Sequence, residues 1–256
     1  MAAVTIADLE AEVWRALQTV TDPELDESVT DLKFVTRVDV DADHRVRIGF
    51  RLPTYWCAAN FSFLMADDMR TAVLQLPWVR SVEVTLGEHM YADKINTGLK
   101  EGRSFQDTFG DEADGDLGEV RRTFLLKALQ RRQGALLVHL IADGYAPEVL
   151  VELTCAELPM LDLDETGTQL VVRYLERRPV VGARPMLAFV DIEGEPLQAE
   201  TLNTYVRALR RVDVNAGFNS ALCRGLLHVR FDTETPLTPR CEKPLDQTNR
   251  APVVRA

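Results

Sequence analysis

The stretch FVTRVDVDADHRVRIGFRLPTYWC, residues 34–57, decides the predicted fold because it holds two alternating apolar runs and a turn. Residues 34–40 and 46–52 alternate apolar and polar side chains, which is typical of half-buried β-strands. The polar turn between them predicts a β-hairpin. PTYWC, residues 53–57, then leads into a helical pattern, so Cys57 is predicted at the junction of a strand and a helix.

The segments on either side of this hairpin complete one small domain. Residues 6–20 carry apolar side chains at three- and four-residue spacing, and Pro23 ends the predicted helix. A second helical stripe covers residues 61–76, and residues 79–86 alternate again. The order α-β-β-α-β predicts a small α+β domain over residues 1–90.

The rest of the chain has a different composition. The polar, acidic segment 91–118, which includes GDEADGDLGE, predicts a linker. Residues 119–232 predict a helix-rich α+β domain, and residues 233–256 a loosely ordered tail. The predicted elements of the helix-rich domain are helices over 120–141, from 147 to 158 and over 202–209, a strand over 186–192, and an ambiguous apolar run over 170–175.

The composition indicates a chain that binds neither nucleic acid nor membranes. The net charge of the 256 residues is −11, whereas phosphate binding needs clustered Lys and Arg. No apolar stretch approaches the roughly 20 residues of a membrane span, and the N-terminus lacks the pattern of a signal peptide. The four cysteines lie far apart without a CxxC pair, and the four histidines are isolated. We therefore predict a cytoplasmic protein without a zinc finger or a disulfide scaffold.

Cys57 has two interpretations from its position alone. A free cysteine often fills space in a core as a small apolar residue. A thiol at the start of a helix, in contrast, loses its proton more readily because of the helix dipole and the free backbone N–H groups. For Cys223, the surrounding apolar residues indicate core packing. It lies in the stretch NSALCRGLLHVRF at residues 219–231.

The Asp22-Pro23-Glu24 triplet after the first helix and the PTYWC loop after the hairpin resemble the MIP18 family, also called the DUF59 family, of iron–sulfur cluster assembly proteins. The resemblance covers about residues 8–87. It implies the assembly or delivery of an iron or iron–sulfur cofactor without catalysis, with Cys57 as the metal ligand. One cysteine cannot hold a cluster alone, so the resemblance implies a homodimer or a client metalloprotein that completes the site.

Four other residues are candidates for supporting the site or binding the partner. Asp22 and Glu24 fit either a helix-terminating turn or a docking role, and Thr54 is placed to cap the following helix. Trp56 fits either the core or a docking surface. The sequence departs from the family pattern at Lys33 and at Ala58, and the loop is one residue shorter before the cysteine.

The long form of the chain points to a more specific role. PTYWCAANFSFLMADDM (53–69) and NSALCRGLLHVRF resemble accessory proteins encoded beside bacterial binuclear-iron monooxygenases of the propane and acetone type. This resemblance implies a maturation factor whose client is an oxygenase component, bound by the C-terminal domain. The alternative is a chaperone-like adaptor that binds no metal. A DNA-related module and a thiol enzyme are less favoured.

Overall fold

The fold is described from a computed structural model. The structure describes residues 5–113, 116–182 and 186–231, apart from the side chains of residues 211–216. Within these residues, no helix has both the length and the apolar composition that crossing a bilayer requires.

A three-stranded sheet with two helices forms the first part of the chain, which confirms the predicted α+β fold. The elements are α1 (Ile6–Gln18), β1 (Val35–Val40), β2 (Arg45–Phe50), α2 (Ala59–Leu74) and β3 (Ser81–Leu86). β1 and β2 form the predicted antiparallel hairpin, and β3 lies parallel to β2 because α2 carries the chain back across the sheet. The alternating apolar side chains of the strands and the inner faces of both helices form the first core.

The segment predicted as a linker contains ordered helices. These are α3 (Ala92–Lys100) and α4 (Phe105–Phe109), followed by a 3₁₀ turn at Gly110–Glu112. Ile95, Leu99, Phe105 and Phe109 are all buried in the first core. The polar composition concealed this packing, because only one side of each short helix is apolar. The boundaries of the predicted domains stay a prediction.

Four α-helices make up most of the described residues in the second part of the chain. They are α5 (Leu117–Ala142), α6 (Pro147–Glu152), α7 (Glu165–Arg177) and α8 (Ala199–Phe231). Residues 170–175, ambiguous in sequence, belong to α7, whose first turn is capped by the Asp164 carboxylate. Tyr174 and Phe189 stack in a second core between these helices.

Two predictions for the second part are wrong. Residues 186–192, predicted as a strand, form only isolated bridges, Thr154–Leu187 and Val190–Pro196. The helix predicted from 147 to 158 ends at Glu152, and the Cys155 N–H instead donates to the Met186 carbonyl. Among the described residues, this short apolar run has no neighbouring strand to pair with, so it packs as irregular chain. The predicted tail, residues 233–256, lies outside the described residues.

α8 is much longer than the predicted helix over 202–209 and reaches both cores. Its 33 residues place Leu202 and Val206 in the second core. Leu227, near its other end, is 2% exposed and belongs to the first core. The C-terminal end of α8 therefore packs against the domain that carries Cys57.

Candidate functional site

The Cys57 loop, residues 53–58, connects the end of β2 to the start of α2. Cys57 is half-buried and packs against the first core. Tyr55 and Trp56 lie beside it with 51% and 72% of their surface exposed. Tyr55 and Trp56 are therefore available for contact with another molecule.

The Cys57 thiol has a hydroxyl neighbour within its own loop. Thr54 Oγ1 lies 3.1 Å from Cys57 Sγ, close enough for a hydrogen bond in either direction. Thr54 was expected to cap α2, but the residue at the N-cap is Ala58, and it makes no side-chain capping bond. The helix begins too far along the chain for the Thr54 side chain to reach its first N–H groups. Thr54 instead restrains the position of the thiol.

A buried histidine fixes the backbone of Cys57 from the other side. His89 is 4% exposed, and its Nε2 lies 2.8 Å from the Cys57 carbonyl oxygen. The Tyr91 N–H donates to His89 Nδ1, so Nε2 must carry the proton and donate to Cys57. Burial lowers the pKa of His89, which keeps the ring neutral at neutral pH. His89 is isolated in the sequence, and no local pattern links it to a cysteine in another loop.

Asp22 and Glu24 lie in residues 22–27 after α1, a segment called the acidic turn below because it also contains Asp26 and Glu27. Asp22 is 8% exposed, and its Oδ1 accepts hydrogen bonds from the Glu24 and Leu25 N–H groups at 2.9 and 2.8 Å. Burial raises the pKa of Asp22 to about 6, despite these two bonds. The hydrogen bonds are those of a turn, whereas an ionised carboxylate this deeply buried is unusual for a structural residue.

The C-terminal end of α8 covers this turn. Asn219 Nδ2 donates to Glu24 Oε1 at 3.0 Å. One turn further along, the Arg224 guanidinium pairs with Glu27, which also accepts a hydrogen bond from Ser220. Sequence reasoning could not link Glu27 to Ser220 and Arg224, because these groups are almost 200 residues apart along the chain.

The last turns of α8 reach residues next to the Cys57 loop. Arg230 donates to the Glu88 carbonyl at 2.7 Å and to the Leu52 carbonyl at 3.3 Å. The Arg51 guanidinium lies over the Phe231 ring, 4.1 Å from its centroid. Residues 219–231 of α8 thus run from the acidic turn to the residues that precede the Cys57 loop and to Glu88.

Cys223 lies on α8 between Ser220 and Arg224, the two residues that hold Glu27. It is half-buried against the first core, in agreement with its predicted packing. Burial raises the pKa of the Cys223 thiol to about 12, and negative charge on Asp22, Cys57, Glu24 and Glu27 adds to the effect. These four groups therefore lie close enough to Cys223 for their charges to interact.

The structure thus brings most of the predicted site residues to one region. In the part of the chain that the structure describes, however, no three His, Cys, Asp or Glu side chains are arranged to hold a metal ion. Any metal bound here would need ligands from another source or a rearrangement of these side chains.

Comparison with known proteins identifies the family of this region. The family described as "Iron-sulfur cluster assembly protein" matches residues 10–86. An uncharacterized protein of Methanocaldococcus jannaschii is 33% identical over 90 residues, which cover 35% of this chain and 93% of the relative. The chain belongs to the iron–sulfur cluster assembly protein family.

Two further similarities extend the comparison. An iron–sulfur cluster carrier protein of Deinococcus radiodurans is 30% identical over 138 residues, 53% of this chain. The chain spans only 37% of that relative's length. A crystal structure of a domain of unknown function, DUF59, from Bacillus anthracis is 19% identical and covers 37% of this chain and 93% of its own, with a TM-score of 0.30.

Proposed function

We propose that this chain is a non-catalytic assembly factor that carries iron or an iron–sulfur cluster and transfers it to a client protein. The observation that carries the proposal is the placement of Cys57 within the region matched by the family. Its thiol is half-buried beside the Thr54 hydroxyl, and its backbone is held by the buried His89. Cys57 is the proposed metal ligand.

The chemistry of this arrangement suits a temporary cargo. Iron and iron–sulfur clusters prefer thiolate ligands. A loop with one thiol supplies fewer ligands than a permanently bound cluster needs, so the remaining positions stay available for a client. Incomplete coordination favours release, which a carrier requires and an electron-transfer protein does not.

The surface beside Cys57 supports a client at this position. Trp56, Tyr55 and Met90 are exposed apolar side chains, and the Met90 N–H donates to the Tyr55 carbonyl at 2.8 Å. The hydrogen bond joins the Cys57 loop to the segment after β3, and we propose that the three side chains contribute to one patch. We propose that a client metalloprotein docks there; its assignment as an oxygenase component rests on the resemblance of residues 53–69 and 219–231 alone.

The decisive measurement is iron and acid-labile sulfide content after anaerobic purification. We expect the wild-type chain to bind both and Cys57→Ala to lose most of the iron. Cys155→Ala is the matched control, because Cys155 is also half-buried but belongs to the other part of the chain. Melting curves should show little change for Cys57→Ala, because the side chain is only partly buried.

The alternative is an adaptor that binds a client without any metal. It is favoured by the absence of a three-ligand group among the described residues and by the packing of α8 over the acidic turn. Wild-type protein that contains no iron or sulfide, even after anaerobic reconstitution, would support this alternative and contradict the carrier function.

A further inference from the structure

The contacts of α8 place Cys223 close to the Cys57 loop. Ser220 precedes Cys223 and Arg224 follows it along the helix, and both hold Glu27 of the acidic turn. Further along, Leu227 enters the first core and Arg230 binds the Leu52 and Glu88 carbonyls. Ser220, Leu227 and Arg230 lie three residues before and four and seven residues after Cys223, so they share a helix face with it.

The Leu52 and Glu88 carbonyls belong to residues next to the Cys57 loop or to the histidine that binds it. Leu52 immediately precedes the Cys57 loop, and Glu88 immediately precedes His89, whose ring binds the Cys57 carbonyl. Cys223 therefore faces the region between the acidic turn and the Cys57 loop.

We propose that Cys57 and Cys223 form a two-thiol metal site between the Cys57 loop and α8. The proposal rests on the function proposed above and adds a second protein ligand for the iron or iron–sulfur cargo. This ligand comes from the C-terminal part of the chain, outside the residues that the family matches. Two protein thiolates still leave positions at the metal for ligands of the client.

The charges around the two thiols favour a cation between them. Asp22 and Glu24 carry negative charge close to Cys223, while Glu27 is balanced by Arg224. The nearest histidine of the loop, His89, uses both ring nitrogens in hydrogen bonds and stays neutral. Arg230 directs its N–H groups at backbone carbonyls and at the Glu88 carboxylate. The negative charge of the Asp22 and Glu24 carboxylates favours a metal cation held by the two thiols.

Titration with cobalt(II) under anaerobic conditions tests this site. Cobalt(II) bound by thiolates absorbs in the near ultraviolet by charge transfer, and the intensity per bound ion increases with the number of thiolates. All proteins carry Cys241→Ser, so the cysteine outside the described residues cannot contribute. The series consists of this background and of the further changes Cys57→Ser, Cys223→Ser, both together, and Cys155→Ser as the matched control.

We expect the absorbance per bound cobalt to fall by about half in each single variant and to vanish in the double variant. We also expect at least about a tenfold loss of cobalt affinity for Cys223→Ser, and no change for Cys155→Ser. Circular dichroism and melting curves establish that each variant is folded.

An unchanged spectrum and affinity in Cys223→Ser, with loss in Cys57→Ser, would overturn the two-thiol site and leave the carrier function standing. A background protein without the charge-transfer band would also overturn it, and the iron and sulfide content would then decide the carrier function separately.

A measurement without substitution at either thiol covers the case that Cys223→Ser fails to fold. A trivalent arsenical bridges two thiols that are close together. Mass spectrometry of the digested protein should find one arsenic joining the peptides of Cys57 and Cys223. Only singly attached arsenic at these two cysteines would contradict the proposal.

Discussion

At the scale of single residues, the site combines groups that cost stability with groups that hold them in place. Asp22 is a buried carboxyl whose Oδ1 accepts hydrogen bonds from two backbone N–H groups of its own turn. His89 and Thr54 fix the backbone and the thiol of Cys57. Buried ionisable groups with shifted pKa values are concentrated at functional sites, which is consistent with a role for this turn in binding.

The raised pKa of Asp22 predicts how stability depends on pH. The folded-state pKa of about 6 exceeds the ordinary value of 3.8, so the native state binds this proton more tightly than the unfolded chain. The stabilisation of the folded state by the proton on Asp22 is therefore fully present below about pH 4 and is lost as the pH rises through 6. The difference in pKa between the folded and unfolded states corresponds to about 3 kcal/mol in the free energy of unfolding.

Asp22→Asn should remove the free-energy cost of ionising the buried carboxyl at high pH. The amide oxygen still accepts both N–H groups and carries no charge. We expect the variant to be more stable than wild type by up to about 3 kcal/mol near pH 8, with a smaller gain toward pH 4. Urea unfolding at several pH values measures it. A variant less stable than wild type near pH 8 would show that the carboxylate has a compensating partner.

At the scale of elements, local periodicity predicted the first part of the chain better than the second. The strands and helices over residues 6–86 agree with the prediction to within a few residues, because each has a clear period of two or near 3.6. α3 and α4 were missed because they are short and mostly polar. The run 186–192 has a strand-like composition but lacks a partner strand among the described residues.

α8 is the element whose role depends most on tertiary contacts. Leu227 is 2% exposed in the first core, whereas Val229 on the same helix is 79% exposed. Leu227→Ala should therefore lower the free energy of unfolding by about 2–4 kcal/mol, and Val229→Ala by less than about 0.5 kcal/mol. Urea unfolding of both variants measures the difference. Equal effects would contradict the docking of this helix end on the first core.

At the scale of the whole molecule, a buried ion pair network joins the two parts of the chain. Asp26, from the turn after α1, pairs with Arg132 of α5 and Arg177 of α7, with closest nitrogen–oxygen distances of 2.5 and 2.9 Å. Asp26 and Arg132 are 5% and 8% exposed. Because Asp26 follows Asp22 and Glu24 in the same turn, this network also fixes the acidic side of the site.

Asp26→Asn should break the network without straining the backbone, since asparagine tolerates the positive φ of 52° at this position. We expect a loss of about 3–5 kcal/mol, because Arg132 stays buried without its main counter-charge. The control is Asp43→Asn in the exposed Asp43–Arg45 pair, for which the expected change is below about 1 kcal/mol. Chemical denaturation compares the two; equal effects would contradict the buried network.

The sequence by itself determined the α-β-β-α-β order, the position of the Cys57 loop between β2 and α2, and the family of residues 10–86. These features follow from patterns of a few neighbouring residues, which local geometry and the burial of one face are sufficient to produce. Only the tertiary structure decided that His89 holds the Cys57 backbone, that α8 brings Cys223 to the same region, and that Asp26 pairs with two arginines. Each of these contacts joins side chains from distant parts of the chain, and their pairing depends on how the completed helices pack against the sheet.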